Sequence, residues 1–240
     1  MKHNILFYDE IASTHDDCLR RVKEGAEEGL TVVADRQGAG YGRLGRAWQS
    51  PPEVGLYVTT IVKPRENEKL TLFPLMAGVA MLEAMFECVR LQSNAVERNR
   101  IPLALKWPND ILLNGYKVCG ILTEALCGMV VVSAGVNVLT RKEDLPTRAL
   151  YPASSILEET GIALDRVKLL DAWLDKIATL RQGDIVSRWN PHDALRGKPV
   201  CVNTPTGEVA GIGAGIDADG ALLLRQEDGT LVQVVAGDVR

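Results

Sequence analysis

A glycine-rich segment with two arginines, from Gly38 to Trp48, has the composition of an anion-binding loop. Glycines let backbone N–H groups approach an anion closely, and Arg43 and Arg46 can together clamp carboxylate or phosphate oxygens. Trp48 at its end can stack on a base. The segment is neither a Walker A loop nor the GxGxxG turn of a dinucleotide-binding helix. On composition alone, a plain turn with solvated arginines explains it equally well.

A second polar segment, Lys106-Trp107-Pro108-Asn109-Asp110, ends a predicted strand. Pro108 cannot continue a hydrogen-bonded ladder, so the chain must turn there and present Lys106, Asn109 and Asp110 together. The alternative is a simple β-turn, in which Asn and Asp are common residues.

Lys117 begins an otherwise apolar predicted strand and follows the hairpin-like pair Asn114-Gly115. A lysine entering a buried strand needs a partner for its charge. The alternative is that its long stem carries the ammonium to solvent.

Apolar periodicity places these segments in an α+β fold. Predicted strands are Asn4–Tyr8, Leu30–Asp35, Gly55–Val62, Leu103–Trp107, Tyr116–Ala125 and Met129–Leu139. Predicted helices run from Ser13 or Thr14 to about Glu28, through Leu75, Val79, Leu82, Phe86 and Val89, and from Val167 towards Trp189; Gln92–Arg100 is a polar connection.

The last segment, Lys198–Arg240, has a different pattern, with seven glycines and the turn pairs Asp219-Gly220 and Asp228-Gly229. Short β-rich runs between such turns predict a small all-β module of about five strands. We therefore divide the chain into a larger domain, residues 1–193, and a small one, residues 194–240.

The composition is that of a soluble globular protein: 240 residues, 46% apolar, 24% charged, with a net charge of -4. This charge does not favour nucleic acid as a partner. The longest uncharged apolar run, Ala125–Thr140, is too short to span a bilayer, and no secretory signal is recognisable. Five scattered cysteines without a CxxC pair argue against a zinc site or disulfides, so we expect no protein metal site and a reducing cytoplasm.

Taken in order, four of these segments resemble the catalytic core of biotin protein ligases. They are Ser13-Thr14-His15, Gly40 to Trp48, Lys106 to Ile111 and Lys117 to Ile121. Gly135-Val136-Asn137 also looks like the family's Gly-x-Asn near the nucleotide. The resemblance implies a mixed-sheet catalytic domain of the biotin/lipoate ligase type, followed by a small SH3-like β-barrel.

The same resemblance implies that the protein is an ATP-dependent ligase. Such an enzyme makes biotinyl-5′-AMP from biotin and Mg²⁺-bound ATP, then transfers biotin to a lysine of a biotin carboxyl carrier protein, as in acetyl-CoA carboxylase. The implied catalytic residues are Arg43, Lys106, Asp110 and Lys117. The implied biotin-binding residues are Ser13, Thr14, His15, Gln37, Gly40, Tyr41, Gly42, Arg43, Lys117 and Gly120. The implied nucleotide-binding residues are Arg43, Arg46, Trp48, Lys106, Asn109, Lys117 and Asn137.

Two residues depart from the family pattern. His15 replaces an asparagine and Tyr41 replaces the first arginine of the loop, and both family positions lie near biotin and the adenylate. The departures therefore bear on substrate affinity. The chain also starts at the catalytic core, so we expect no operator DNA binding, and a sheet edge can pair two subunits in a homodimer.

Two other functions stay open at this point. A lipoate or octanoate ligase shares the core fold, but those ligands lack a urea and leave Ser13, Thr14 and Gln37 without polar partners. A weakly catalytic biotin-sensing interaction protein is supported only by His15 and Tyr41.

Overall fold

The computed structural model describes residues 4–92, 101–145, 152–180 and 182–239, and these residues form two β-sheets with five α-helices. The strands are β1 Asn4–Ile11, β2 Leu30–Gln37, β3 Gly55–Val62, β4 Leu103–Lys106, β5 Asp110–Leu113, β6 Tyr116–Leu126, β7 Met129–Asn137, β8 Pro199–Thr204, β9 Gly207–Ile216, β10 Leu222–Arg225, β11 Leu231–Val234 and β12 Asp238–Val239. The helices are α1 Thr14–Lys23, α2 Phe73–Gln92, α3 Ile156–Thr160, α4 Arg166–Thr179 and α5 Ile185–Trp189. The predicted α+β class is confirmed. Most of the predicted polar connection, residues 93–100, lies outside the described residues.

The first sheet has seven strands in the order β1-β2-β3-β7-β6-β5-β4. It is mixed, as predicted, because β1 and β2 are parallel and the other neighbours are antiparallel. Side chains alternate between the two faces of a strand. Val33 and Val132 face the main core with α2 and α4, whereas Val32, Ile61 and Val131 pack with α1. The face that carries α1 is the one on which the site is built.

Helix α2 is the central helix of the core and follows the predicted apolar period. Leu75, Val79, Leu82 and Val89 are all buried. The stretch Leu70–Gln92 is long and apolar enough to cross a membrane by length and composition alone, and 78% of its most apolar window is buried inside the protein. Packing within this core accounts for its apolar character.

Helix α1 is shorter than the sequence predicted. The Ser13 hydroxyl caps its start by accepting the Asp16 N–H at 3.3 Å. The helix ends at Lys23 rather than near Glu28, because Gly25 adopts a left-handed conformation with φ +90°. The predicted end was therefore wrong by about one turn, and the start is confirmed.

Two further boundaries differ from the sequence prediction. Strand β5 was not predicted, since only three residues separate it from β4 and the segment reads as a turn. The helix predicted to extend towards Trp189 is two helices, α4 and α5, and α4 ends at Thr179.

The second sheet is antiparallel, with five strands in the order β11-β10-β9-β8-β12, as the glycine and turn pattern predicted. Its apolar face joins the core around α2, where Val200 and Leu222 are buried. The Trp107 indole N–H donates to the Gly220 carbonyl at 3.0 Å and links the two sheets. This packing brings β12 to the edge of the candidate site.

Candidate active site

A cavity of about 510 Å³ lies on the α1 face of the seven-stranded sheet, between the loop 38–48 and strand β12. Every site residue named from the sequence lines this cavity except Gly40. The fold therefore brings these residues together in one cavity from distant parts of the chain.

The loop 38–48 is a closed hairpin. Tyr41 and Ala47 form a β-bridge, and the Trp48 N–H donates to the Gly40 carbonyl at 2.8 Å. Gly40 lies at the base of this hairpin, where an added Cβ would come within 2.8 Å of the Gln37 side-chain amide. Gly40 therefore allows close packing at the base of the hairpin and does not line the cavity.

The two loop arginines contact the end of the second sheet. Arg43 donates to the Gly237 carbonyl at 3.2 Å and to Asn109 Oδ1 at 3.3 Å. Arg46 donates to the Asp238 carboxylate. Burial raises the pKa of Asp238, but the Arg46 hydrogen bond and nearby cations outweigh it and hold that pKa below its ordinary value. Sequence analysis missed Asp238 because it belongs to no motif and is 192 residues from Arg46.

Two lysines stand on the same side of the cavity in different surroundings. Lys117 Nζ is 2.6 Å from Asp110 Oδ1 and 5.5 Å from the centre of the Trp48 ring. Lys106 is only 4% exposed, and burial lowers its pKa to about 8 against the opposing charges of Asp110 and Asp238. The cavity is therefore lined by four cationic side chains and three carboxylates, Asp110, Asp144 and Asp238, and this excess of positive charge suits anionic ligands.

Two paired glycines form the floor beneath Trp48. Gly120 of β6 pairs with Gly135 of β7. An added Cβ at Gly135 would lie 2.7 Å from Trp48 Nε1, and one at Gly120 would lie 3.1 Å from its Cζ3. Only glycine lets the indole lie this close to the sheet. Asn137 borders the floor and is itself fixed by donating to the Ser154 carbonyl at 3.0 Å.

The opposite part of the cavity is neutral and polar. Gln37 Oε1 accepts the Thr14 backbone N–H at 2.9 Å and the Thr14 hydroxyl at 3.1 Å. Sequence analysis missed two further hydroxyls here: Ser133 lines the cavity, and the buried Thr59 donates to Thr14 and is hydrogen-bonded to Ser133, at 2.8 Å in each case. Strand alternation was the available signal, because Thr59 is in phase with Ile61, on the face that carries α1.

The residues that depart from the family pattern lie together at one rim. His15 is 3% exposed, with Nδ1 2.7 Å from Ser133 Oγ and Nε2 3.5 Å from Glu124 Oε2. The Tyr41 ring packs edge-on against His15, and its hydroxyl donates to Asp16 Oδ1 at 2.6 Å. Burial lowers the pKa of His15 despite Glu124, and burial together with Asp16 raises the pKa of Tyr41. This rim is therefore built of neutral rings backed by two carboxylates.

Fold and cavity together define a class: a mixed-sheet domain with a cationic ligand site, closed at one edge by a small antiparallel sheet. Residues 9–139 match the model of the biotin/lipoate A/B protein ligase family, and residues 196–240 match that of the biotin protein ligase C-terminal domain. The chain belongs to the biotin/lipoate A/B protein ligase family.

Similar proteins agree with this assignment. A biotin--[acetyl-CoA-carboxylase] ligase of Paracoccus denitrificans is 33% identical, with 92% of this chain and 93% of the relative covered. The corresponding ligase of Mycobacterium tuberculosis is 30% identical over 96% of this chain and 86% of its own. A biotin protein ligase of Aquifex aeolicus, solved with biotin and ATP, superposes with a TM-score of 0.81 at 29% identity, covering 99% of this chain and 97% of the other.

Proposed function

We propose that this protein is a biotin protein ligase that activates biotin with ATP and transfers it to a lysine of a biotin carboxyl carrier protein. The observation that carries the proposal is one cavity with a neutral wall of hydroxyl and amide groups beside four cations. A neutral urea and an anionic phosphate chain need these two surroundings side by side. The relatives named as biotin ligases support it.

In the first step the biotin carboxylate attacks the α-phosphorus of ATP, forming biotinyl-5′-AMP and releasing pyrophosphate. Two anions must approach each other, so cations at the reacting atoms lower the barrier. We assign Lys117 and Arg43 to the carboxylate and α-phosphate, and Lys106 and Arg46 to the remaining phosphates. Biotin lies against Ser13, Thr14, His15, Gln37, Tyr41, Gly42 and Gly120. The adenosine lies near Trp48, Asn109 and Asn137.

Magnesium fits this site as a companion of ATP and not as a resident of a protein cage. The described residues contain no group of three or more His, Cys, Asp or Glu placed to hold a metal. Mg²⁺ usually takes one or two carboxylates and substrate phosphates. Asp144 lines the cavity and, among the described residues, makes no ion pair, so it is the carboxylate that fits. When bound, the metal would offset phosphate charge.

In the second step the ε-amine of the carrier lysine attacks the acyl carbon of the adenylate, and AMP leaves. A protonated lysine is no nucleophile, so it needs deprotonation or a carboxylate partner. We assign this role to Asp110, which already lies 2.6 Å from Lys117 Nζ. Asp110→Asn should then slow transfer to the carrier more than it slows pyrophosphate release.

The carrier and the compartment belong to the same proposal. Relatives are named for acetyl-CoA carboxylase, which points to a carrier protein of that kind as the partner. The five cysteines are free thiols, consistent with a reducing cytoplasm.

One assay tests the activity against the lipoate or octanoate alternative. Pyrophosphate release from ATP is followed with biotin, lipoate or octanoate as the acid. Release with biotin alone is expected, because only a urea uses the hydrogen-bonding wall. Release with lipoate or octanoate and not with biotin contradicts the proposal.

The assignment of Lys117 has its own test. Lys117→Ala should lower biotin-dependent pyrophosphate release about a hundredfold or more, since losing a cation from the transition state costs roughly 3 kcal/mol. Its thermal unfolding should stay close to wild type, and Lys63→Ala, on an exposed lysine, is the matched control. Near-normal release by Lys117→Ala refutes the assignment.

A further inference from the structure

A continuous chain of hydrogen bonds runs behind the neutral wall, from His15 to Gln37. It passes from His15 Nδ1 to Ser133 Oγ at 2.7 Å, then through Thr59 to Thr14 in two steps of 2.8 Å, and ends on Gln37 Oε1. Each hydroxyl in the chain has a single hydrogen to donate. The direction of the whole chain can therefore be worked out from one fixed end.

Gln37 is the fixed end. The Thr14 backbone N–H can only donate, so the atom 2.9 Å from it must be the amide oxygen of Gln37. The Thr14 hydroxyl lies 3.1 Å from the same oxygen and must therefore donate its single hydrogen to it. Thr59 has to donate to Thr14, and Ser133 has to donate to Thr59.

Ser133 has no hydrogen left for His15, so the hydrogen of their 2.7 Å bond comes from His15 Nδ1. We propose that His15 is a positioning residue whose Nδ1–H holds the Ser133 hydroxyl in the direction that Gln37 sets, so that Ser133 and Thr14 stay acceptors for the N–H groups of the biotin urea. This inference deepens the proposed function and rests on it. Ser133 lines the cavity and retains a second lone pair for a ligand.

The groups around His15 act differently on its two ring nitrogens. Glu124 of β6 faces Nε2, while Asp16 of α1 and Tyr41 of the loop contact each other beside the ring. Burial lowers the pKa of His15, so the ring is neutral at pH 7. Glu124 favours a proton on Nε2, so the proposed tautomer requires this carboxylate, which is 52% exposed, to turn to solvent when the ring is neutral.

Protonation of His15 should leave the wall unchanged. An imidazolium still donates from Nδ1, so neither the direction of the chain nor the acceptors offered to biotin would change. The KM for biotin should accordingly show no His15-linked step as the pH falls below 6.5. The opposite tautomer would turn a bare Nδ1 towards Ser133, whose only hydrogen is already donated to Thr59, so the 2.7 Å bond would be lost and would return on protonation.

The tautomer is read directly from a nitrogen NMR spectrum of the full chain labelled in histidine. The chain has three histidines, so the loss of one set of signals in His15→Asn assigns the residue. At pH 7.5 we expect a protonated Nδ1 and an unprotonated Nε2 for His15. A protonated Nε2 with a bare Nδ1 overturns the proposal.

Kinetics separate positioning from mere structural support. His15→Leu should raise the KM for biotin about tenfold, the equivalent of one hydrogen bond at about 1.4 kcal/mol, with a smaller change in kcat. His15→Asn keeps an N–H donor near the Nδ1 position and should restore the KM. His192→Leu, the other described histidine, is the control and should match wild type.

An unchanged KM in His15→Leu, or equal loss in the Asn variant, overturns the positioning role. If the wild-type protein shows no biotin-dependent pyrophosphate release at all, the proposed function fails. The nitrogen spectrum then still decides whether the tautomer is the one inferred.

Discussion

Lys106 and Lys117 share one cavity, yet their surroundings give them different properties. Lys117 has a carboxylate at 2.6 Å and an aromatic face at 5.5 Å, both of which stabilise an ammonium. Lys106 is almost fully buried, and burial lowers its pKa to about 8. Lys106 is therefore a cation whose charge is lost near pH 8.

This difference predicts an alkaline limit on adenylate formation. Because phosphate binding needs protonated Lys106, kcat/KM for ATP should fall as the pH rises through about 8. Asp238→Asn removes a carboxylate that raises the pKa of Lys106, so it should move the limit to lower pH. The measurement is the pH profile of pyrophosphate release at saturating biotin.

A matched variant identifies the group responsible. Lys106→Met cannot titrate, so its lower activity should show no fall near pH 8; an unchanged fall would assign the limit to another group.

The same pKa shift has a stability consequence. The folded pKa lies below the ordinary 10.5, so the unfolded chain binds more protons between these values and stability should rise with pH there.

Tyr41, where the family has an arginine, bears on how tightly the enzyme retains biotinyl-adenylate. Its hydroxyl donates to Asp16, and a neutral ring forms no charge-assisted bond with the adenylate. Such bonds contribute about 1.5–3 kcal/mol, against about 1 for neutral ones. Tyr41→Arg should therefore slow the release of biotinyl-adenylate roughly tenfold.

The Tyr41 prediction is checked by following labelled adenylate as it leaves the enzyme. Asp16 competes for a new arginine, so Tyr41→Arg with Asp16→Asn should slow release further. Tyr41→Phe keeps the ring and serves as the control. Faster release in Tyr41→Arg would show that the ring, and not the missing charge, retains the intermediate.

The loop 38–48 shows what the sequence predicts at the scale of one element. Its glycines and arginines suggested an anion-binding loop but fitted a plain turn equally well, and its arginines do line the cavity. The sequence did not reveal that these arginines are held by Asp238 and Gly237 from the far end of the chain. Contacts at such a separation arise from packing of the two sheets, which no local pattern records.

The contacts of Arg43 with Gly237 and of Arg46 with Asp238, which hold the loop 38–48 against β12, can be tested by proteolysis. Trypsin should cut at Arg43 or Arg46 in the ligand-free protein and be blocked by biotin with ATP, whose phosphates occupy the arginines. Asp238→Asn should speed the cut in the ligand-free protein, because Arg46 loses its partner. Glu227→Gln, a comparable change on an exposed residue in the turn between β10 and β11, is the control. Equal cutting with and without ligands contradicts the prediction.

Secondary structure was predicted well where apolar periodicity was strong and poorly where tertiary packing decided. Strand β3 and helix α2 were predicted from apolar residues that the structure buries: all eight residues of β3 and 13 of the 20 residues of α2. Strand β5 was missed, since a four-residue strand between two turns has no periodicity of its own. Thr59 and Ser133 belong to strands that were predicted, but their role depends on which face α1 covers.

At the scale of the whole molecule, the two sheets share one hydrophobic core. Leu222 and Leu224 of the second sheet belong to the same buried cluster as Leu75 and Leu105 of the first domain. The division of the chain at residues 193 and 194, proposed from composition, therefore separates two sheets without separating two cores. Their positions relative to each other are set by that core, and the cavity depends on them.

A shared core predicts a single cooperative unfolding transition for the whole chain. Calorimetry of the ligand-free protein should give one peak whose calorimetric and van't Hoff enthalpies agree, because neither sheet can expose its apolar face alone. Trp107→Phe should lower the Tm by roughly 4–8 °C, since the Gly220 carbonyl loses its donor at a cost of about 2 kcal/mol. It should do so without splitting the peak, whereas Lys69→Ala, at an exposed ion pair with Asp219, should have little effect. The contrary result is two resolved peaks, of which Trp107→Phe shifts only the smaller. It would mean that the second sheet unfolds independently, so that the loop arginines lose their β12 contacts before the catalytic domain unfolds.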